Sequence, residues 1–198
     1  MRKKRWRLIV TCGVLLVIVL SLFKFNIIEK VLYPYPYREI VEKYAHAYGV
    51  DPYLVVAVMR EESHFKPESY SHKGAVGLMQ VMPNTAKEIA LWLGEDYKQE
   101  VLTDPETNIR YGTRYLSHLN NRFAGNSILV LASYNAGSGR VQQWLKQLPE
   151  GTTYLIEDIP YQETKQYVKK VLRSYRIYAK IYNDRTYSLK DETNDSIK

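Results

Sequence analysis

The segment that most restricts the fold is residues 53–59, because none of its seven side chains is charged and only Tyr53 carries a polar atom. Asp51 and Pro52 precede it, a helix-capping residue followed by the residue favoured at the first helical position. A helix that is apolar on all sides has no face for solvent and belongs in the centre of a domain. The sequence therefore predicts a buried central helix that leads into two adjacent carboxylates, Glu61 and Glu62.

Helical periodicity continues on both sides of this segment, and no stretch alternates convincingly enough to be a strand. The pattern that starts at residue 38 stops at Gly49, and Asp104 with Pro105 repeats the helix-starting signal. Further helices are predicted at 127–134, at 141–148 and from about 162 to 182. We therefore expect a single all-α domain.

The N-terminus adds a second constraint. Five cationic residues and no acid lie within residues 2–7, and residues 8–23 contain no charge. A basic flank followed by an apolar run is the layout of a signal peptide or of an uncleaved signal anchor, and the bulky residues after the run favour the anchor. The cations should hold the N-terminus in the cytoplasm and place the rest of the chain outside.

The predicted organisation follows from these patterns, with a spacer that contains two prolines and a polar C-terminal tail without periodicity. In chain order we expect a cytoplasmic basic tip at 1–7, a transmembrane helix at 8–28, a spacer at 29–36, a catalytic domain at 37–183 and a disordered tail at 184–198.

The net charge of +7 belongs mostly to the basic tip. Without its five cations the chain has 23 basic and 21 acidic residues and is almost neutral. The rest of the sequence also lacks an arginine-rich stripe of the kind that binds nucleic acid. The single cysteine, Cys12, lies in the apolar run, and the four histidines form no i,i+4 pair. We therefore expect no nucleic-acid partner, no metal site and no cofactor. The histidines are His46, His64, His72 and His118.

Three stretches downstream of Glu62 place polar and aromatic residues near loop or helix ends. They read GLMQ at 77–80, YNAG at 134–137 and ETKQYV at 163–168. Each stretch alone is a weak signal, since the first could be a packed turn and the second a helix C-cap. Together they provide a carboxylate, two amides and several tyrosines in an otherwise apolar domain, which is the kind of surface that binds sugars.

In order and spacing, Glu62-Ser63 and these three stretches resemble the four motifs of the soluble-lytic-transglycosylase family. The resemblance covers about residues 37–182 and implies a lysozyme-like helical fold that cleaves peptidoglycan between N-acetylmuramic acid and N-acetylglucosamine. It also implies that Glu62 is the catalytic acid and base, and that Ser63 presents a hydroxyl near the sugar. The other substrate-binding positions that it implies are Gly77, Leu78, Met79, Gln80, Tyr134, Asn135, Glu163 and Tyr167.

The second and third motifs contain no carboxylate, whereas glycosidases usually use two. The family chemistry accordingly implies that Glu62 protonates the leaving oxygen and then accepts the proton of the C6 hydroxyl of the muramic residue, which gives a 1,6-anhydro end. Such an acid needs a raised pKa, which the apolar helix behind it should supply. Glu61 is expected to be solvated.

Two alternatives stay open: a lysozyme-type hydrolase on the same scaffold, and a non-catalytic glycan-binding protein. The expected partners are peptidoglycan glycan strands and the cell membrane, with the catalytic domain on the extracytoplasmic side.

Overall fold

The computed structural model describes residues 2–149 and 154–182, and within these ranges it is helical, with two isolated β-bridges and no strand. The helices are α1 (Arg2–Leu32), α2 (Arg38–Tyr48), α3 (Pro52–Ser63), α4 (Pro83–Leu93), α5 (Pro105–Arg122), α6 (Ser127–Ala136), α7 (Ser138–Leu145) and α8 (Gln162–Tyr182). Short 3-10 helices span Gln99–Thr103 and Ile156–Asp158. The predicted tail at 184–198 lies outside the described residues.

The chain divides into two compact units, Met1–Tyr35 and Pro36–Lys198. In the first unit, α1 is the helix that the structure describes, and α2 to α8 belong to the second. Among the described residues, no helix is both long enough and apolar enough to cross a membrane.

The predicted central helix is confirmed as α3. The side chains of residues 55–59 have no solvent exposure at all, and α3 packs mainly against α8 and also against α2. The Asp51 carboxylate caps the helix by accepting a hydrogen bond from the Tyr53 amide at 2.8 Å, and it also accepts one from the Tyr175 hydroxyl of α8 at 2.9 Å. This packing fixes the direction in which the C-terminal turn of α3 presents its acids.

The all-helical prediction is confirmed for the described residues, but α4 was missed. The segment 83–93 begins with a proline at the first helical position and ends at Gly94, which has a left-handed φ of 70°. Its N-cap, Met82, makes no side-chain hydrogen bond, so the capping signal that marks α3 and α5 is missing here. Ala86, Ile89 and Ala90 are its buried residues.

Candidate active site

Glu62 lies in the last turn of α3, where the buried helix reaches the surface. Its side chain is partly exposed, and burial raises the pKa of the carboxyl from its ordinary value of 4.5 to about 7. The Tyr167 hydroxyl opposes this shift, and the negative charge of Glu61 adds to it. A carboxyl with such a pKa is protonated in about half of the molecules at neutral pH, which suits a general acid.

Two tyrosines face this carboxyl from neighbouring helices. Tyr134 stands near the end of α6 and Tyr167 in the second turn of α8. Burial raises the pKa of both phenols well above the ordinary value of 10.0, and the Glu62 charge contributes to both shifts. Glu62, Tyr134 and Tyr167 are thus brought together from three of the four motifs.

The Tyr167 hydroxyl differs from that of Tyr134 in its partners. Tyr134 donates a hydrogen bond to the Met79 carbonyl at 2.8 Å. The Tyr167 hydroxyl is buried and has no partner in regular hydrogen-bond geometry among the described residues, although it acts on the pKa of Glu62. We interpret the Tyr167–Glu62 contact as a long or poorly aligned hydrogen bond, which in ligand-free enzymes commonly tightens when substrate binds.

The second motif forms a compact loop behind Glu62. Ser63 is only 5% exposed, and its hydroxyl donates a hydrogen bond to the Leu78 carbonyl at 2.8 Å. Leu78 and Met79 have no exposed surface. The structure therefore buries Ser63, Leu78 and Met79 in the wall of the site, with the Ser63 hydroxyl bonded to the loop.

Gln80 ends this loop in a left-handed conformation with φ of 47°. Its side-chain nitrogen donates to the carbonyls of Ser69 at 3.1 Å and Gly77 at 2.9 Å. The nitrogen is thus committed to the loop itself, while the side-chain oxygen accepts no hydrogen bond from the described residues. Gln80 is partly exposed, so this oxygen is the group that it can offer to a ligand.

Asn108 of α5 holds the loop in place, although the sequence did not identify it as part of the site. It is fully buried, accepts a hydrogen bond from the Met79 amide at 2.7 Å and donates to the carbonyls of Val76 at 2.9 Å and Leu102 at 2.8 Å. A Cβ at Gly77 would collide with this asparagine. The available signal was an asparagine beside Ile109, on the apolar side of a predicted helix.

Gly112 lies one turn after Asn108 and permits a second close contact. A Cβ at this position would collide with the Met79 side chain. Glycine in a helix interior is destabilising by about 0.5–1 kcal/mol relative to alanine, so its use here indicates that the approach of Met79 to α5 is needed.

Asn135 and Glu163 lie on the exposed side of the site. The Asn135 side-chain oxygen accepts a hydrogen bond from the hydroxyl of the buried Thr164 at 2.8 Å. Its amide nitrogen donates no hydrogen bond to the described residues and can serve solvent or a ligand. The Glu163 side chain is 76% exposed, and its carboxylate lies 3.7 Å from the ammonium group of Lys73 on the loop that precedes Gly74. Glu163 and Tyr167 are four residues apart and share one face of α8.

The expectation that Glu61 is solvated is wrong. Its side chain is 17% exposed, and its carboxylate accepts a hydrogen bond from the Ser174 hydroxyl of α8 at 2.6 Å. Arg60 places its Nε 3.9 Å from the same oxygen. The reason is that α8 packs along α3 and covers this side of its last turn.

In the part of the chain that the structure describes, no three His, Cys, Asp or Glu side chains lie together so as to hold a metal ion.

Comparison with known proteins identifies a family that this chain matches. The family described as "Transglycosylase SLT domain" matches residues 39–156, which is more than half of the chain. The chain is 38% identical over 144 residues to the soluble lytic murein transglycosylase of Salmonella typhimurium, an alignment that covers 71% of this chain and 22% of that protein. It is 33% identical to the membrane-bound lytic murein transglycosylase C of Edwardsiella ictaluri, with 73% of this chain and 47% of that protein covered.

Solved structures agree with the sequence comparison. The 70 kDa soluble lytic transglycosylase of Escherichia coli matches 79% of this chain with a TM-score of 0.74 and 35% identity, over 26% of its own length. The lytic transglycosylase Slt of Pseudomonas aeruginosa, solved as an inactive mutant, matches 78% of this chain with a TM-score of 0.71 and 39% identity, over 25% of its own length.

The chain thus spans about a quarter of the length of its soluble relatives and about half that of the membrane-bound one. The family match, the identities and the shared fold confirm the resemblance and the lysozyme-like helical architecture. The chain belongs to the SLT-domain family of lytic transglycosylases.

Proposed function

We propose that this protein is a peptidoglycan lytic transglycosylase that cleaves the bond between N-acetylmuramic acid and N-acetylglucosamine, with Glu62 as its general acid and base. The observation that carries the proposal is the placement of Glu62, a carboxyl with a pKa of about 7 at the end of a buried helix, facing Tyr134 and Tyr167. The relatives found by sequence comparison are named as lytic murein transglycosylases.

In the first step Glu62 donates its proton to the glycosidic oxygen. The bond between this oxygen and C1 of the muramic residue then breaks, and the N-acetylglucosamine part leaves with the proton. The raised pKa makes this possible near neutral pH, because a carboxyl with an ordinary pKa would already be ionised.

In the second step the ionised Glu62 accepts the proton of the C6 hydroxyl of the same muramic residue. The C6 oxygen bonds to C1 and closes a 1,6-anhydro ring, so no water is consumed and Glu62 is protonated again. A hydrolase of the usual two-carboxylate type needs a second carboxylate, which attacks the sugar or activates a water molecule. Among the described residues, Glu61 is the one other carboxylate whose charge shifts the pKa of Glu62, and it is bonded to Ser174.

We propose that Gln80 and Asn135 bind the glycan with complementary groups. The hydrogen bonds within the protein leave the Gln80 side-chain oxygen as an acceptor and the Asn135 side-chain nitrogen as a donor. The acetamido groups of peptidoglycan sugars carry one N–H donor and one carbonyl acceptor, so they can pair with both. Tyr134, Tyr167 and Glu163 would complete the walls of the cleft.

Digestion of purified peptidoglycan followed by mass analysis of the released fragments tests this function. We expect the wild-type chain to release fragments with 1,6-anhydro ends, which are one water lighter than the products of a hydrolase. Glu62→Gln should reduce the rate by about 10²–10⁴-fold, which is the usual contribution of a general acid or base. Glu39→Gln, which makes the same change on the exposed side of α2, is the matched control.

Three results would contradict the proposal in different ways. Fragments with reducing muramic ends would show a hydrolase, near-wild-type release by Glu62→Gln would remove Glu62 from the reaction, and wall binding without any release would favour a non-catalytic glycan-binding protein. The mutant of the Pseudomonas relative is described as inactive and replaces a glutamate by glutamine, which supports the choice of variant.

We further propose that residues 8–28 anchor the catalytic domain at the extracytoplasmic face of the cell membrane. The support comes from the sequence, with its basic tip and the uncharged run at 8–23, and from relatives that are named membrane-bound. After cell lysis, an anchored chain should stay with the membranes in high salt and alkaline carbonate and be released by detergent. Release by salt alone would contradict an anchor.

A further inference from the structure

Glu61 and Glu62 are adjacent on α3, yet they interact with two different residues of another helix, α8. Tyr167 and Ser174 lie seven residues apart, which places them two turns apart on one face of α8. The Tyr167 hydroxyl acts to lower the pKa of Glu62, and Ser174 donates its hydrogen bond to Glu61 at 2.6 Å. The hydrogen bond holds the Glu61 carboxylate against α8 instead of leaving it free to turn into solvent.

The Ser174–Glu61 contact is well protected. Ser174 is only 3% exposed, and the Glu61 side chain is 17% exposed. The charge of a partly buried carboxylate is screened by water much less than a surface charge. Glu61 is therefore placed to act on the protonation of its neighbour, a role that the proposed reaction does not give it.

The charged and titratable groups around the two acids are few. Arg60 on α3 lies 3.9 Å from the Glu61 carboxylate, and its distance is long for a charge-assisted bond. Among the described residues, the groups that act on the pKa of Glu62 are Glu61 on α3 and Tyr167 on α8, while Tyr134 on α6 feels the Glu62 charge.

We propose that Glu61 is a positioning residue whose carboxylate, held by Ser174, favours the protonated form of Glu62. Burial is the main cause of the raised pKa of Glu62, and the negative charge of Glu61 adds to it, because like charges on adjacent side chains repel. The Glu61 charge also raises the pKa of Tyr167, the hydroxyl that faces Glu62. The inference rests on the proposed role of Glu62 as an acid, and it assigns the second carboxylate to tuning that acid and not to attack on the sugar.

Direct titration of Glu62 tests the inference without any assay of activity. The full chain is labelled with ¹³C at the glutamate side-chain carboxyls, and the Glu62 signal is assigned by its loss in Glu62→Gln. The apparent pKa of Glu62 should be lower in Glu61→Gln than in the wild type, and unchanged in the control Glu39→Gln. An unchanged pKa of Glu62 in Glu61→Gln would overturn the proposal.

The pH dependence of the reaction provides the second readout. Below the pKa of Glu62 both forms of the protein carry the proton, so wild type and Glu61→Gln should release fragments at similar rates. Above this pKa the rate follows the fraction of molecules in which Glu62 is protonated. Glu61→Gln should then be slower than the wild type by roughly two- to fivefold, as expected for the loss of one close like charge. A loss of equal size at every pH would show a merely structural role.

Ser174→Ala separates position from charge. Without the hydroxyl, the Glu61 carboxylate is free to turn away, so the pKa of Glu62 should fall in the same direction but by less than in Glu61→Gln. This variant also keeps the test valid if Glu61→Gln does not fold. If the wild type releases nothing from peptidoglycan, the proposed function fails, but the titration still shows whether Glu61 controls the Glu62 proton.

Discussion

The candidate site has an inner wall and an outer rim that are built in opposite ways. The inner wall consists of Ser63, the loop at 77–79 and Asn108, and each of these is buried and bonded to backbone atoms. The outer rim consists of Lys73, Asn135 and Glu163, which are exposed. Two of the rim residues meet only in an exposed ion pair, in which the ammonium and carboxylate are 3.7 Å apart.

This difference indicates a division of labour around Glu62. Buried hydrogen bonds are costly to break because they leave unsatisfied groups, whereas exposed ion pairs contribute little to stability. The inner wall should therefore determine stability and the position of the acid. The rim should determine how the glycan is held. Mutations on the two sides can test whether the division holds.

The largest effect is expected for Asn108→Ala. The change removes three hydrogen bonds and leaves the buried Met79 amide without its partner, so we expect a loss of about 3 kcal/mol in the free energy of unfolding. Thermal and denaturant unfolding of the full chain measure this loss. Asn121→Ala, an exposed asparagine on the same helix, is the matched control and should change stability by less than about 0.5 kcal/mol. Equal effects of the two variants would break the comparison.

The second effect concerns Glu62 and depends on pH. Its pKa in the folded chain is about 7 and its ordinary value is 4.5, so the folded state favours the protonated form. Stability from this group is therefore complete below about pH 4.5 and is lost as the pH rises through 7, by at most about 3 kcal/mol.

Glu62→Gln removes this loss, because its amide does not ionise. The variant should match the wild type near pH 4.5 and be more stable than it at pH 8. Denaturant unfolding of both proteins across this range gives the difference directly. A difference in the free energy of unfolding that is constant at every pH would show that Glu62 does not have a raised pKa. If the difference grows with pH, the range over which it grows gives the pKa of Glu62.

A smaller effect is expected for Ser63→Ala. The variant loses the hydrogen bond to the Leu78 carbonyl, at a cost of about 1 kcal/mol, and keeps the size of the side chain nearly unchanged. If Ser63 supports the wall, the KM for glycan should stay the same and any loss of activity should follow stability. A raised KM with unchanged stability would place its hydroxyl against the sugar and move Ser63 from the inner wall to the binding surface.

The sequence predicted the frame of this site better than its contacts. The apolar segment at 53–59 and the Asp-Pro signals at 51 and 104 indicated α3 and α5, because burial and capping leave marks in local sequence. The helix α4 lacked such a cap and was missed. The family resemblance supplied the site residues as a set, but it did not separate the buried members from the exposed ones.

Two features depended on contacts between segments far apart in the chain. Asn108 bonds to a residue 29 positions away, and Ser174 bonds to Glu61 across 113 positions. Neither residue belongs to a recognisable motif, and the position of Asn108 on the apolar side of a helix does not by itself reveal its partners. Their roles follow only from the packing of α5 and α8, which local patterns do not specify.

The smallest effect is expected at the rim, for Lys73→Met and Glu163→Gln. Both side chains are at least 76% exposed, so breaking their ion pair should leave the melting temperature of the full chain unchanged within about 1 °C. The pair is screened by salt, so any difference in KM between wild type and variants should be largest at low ionic strength and vanish near 0.5 M salt, where the Debye length is only about 4 Å. The double exchange Lys73→Glu with Glu163→Lys restores the pair and should restore the KM. A melting temperature lower by several degrees would show that the rim is as structural as the inner wall, and the division between the two regions would then be wrong.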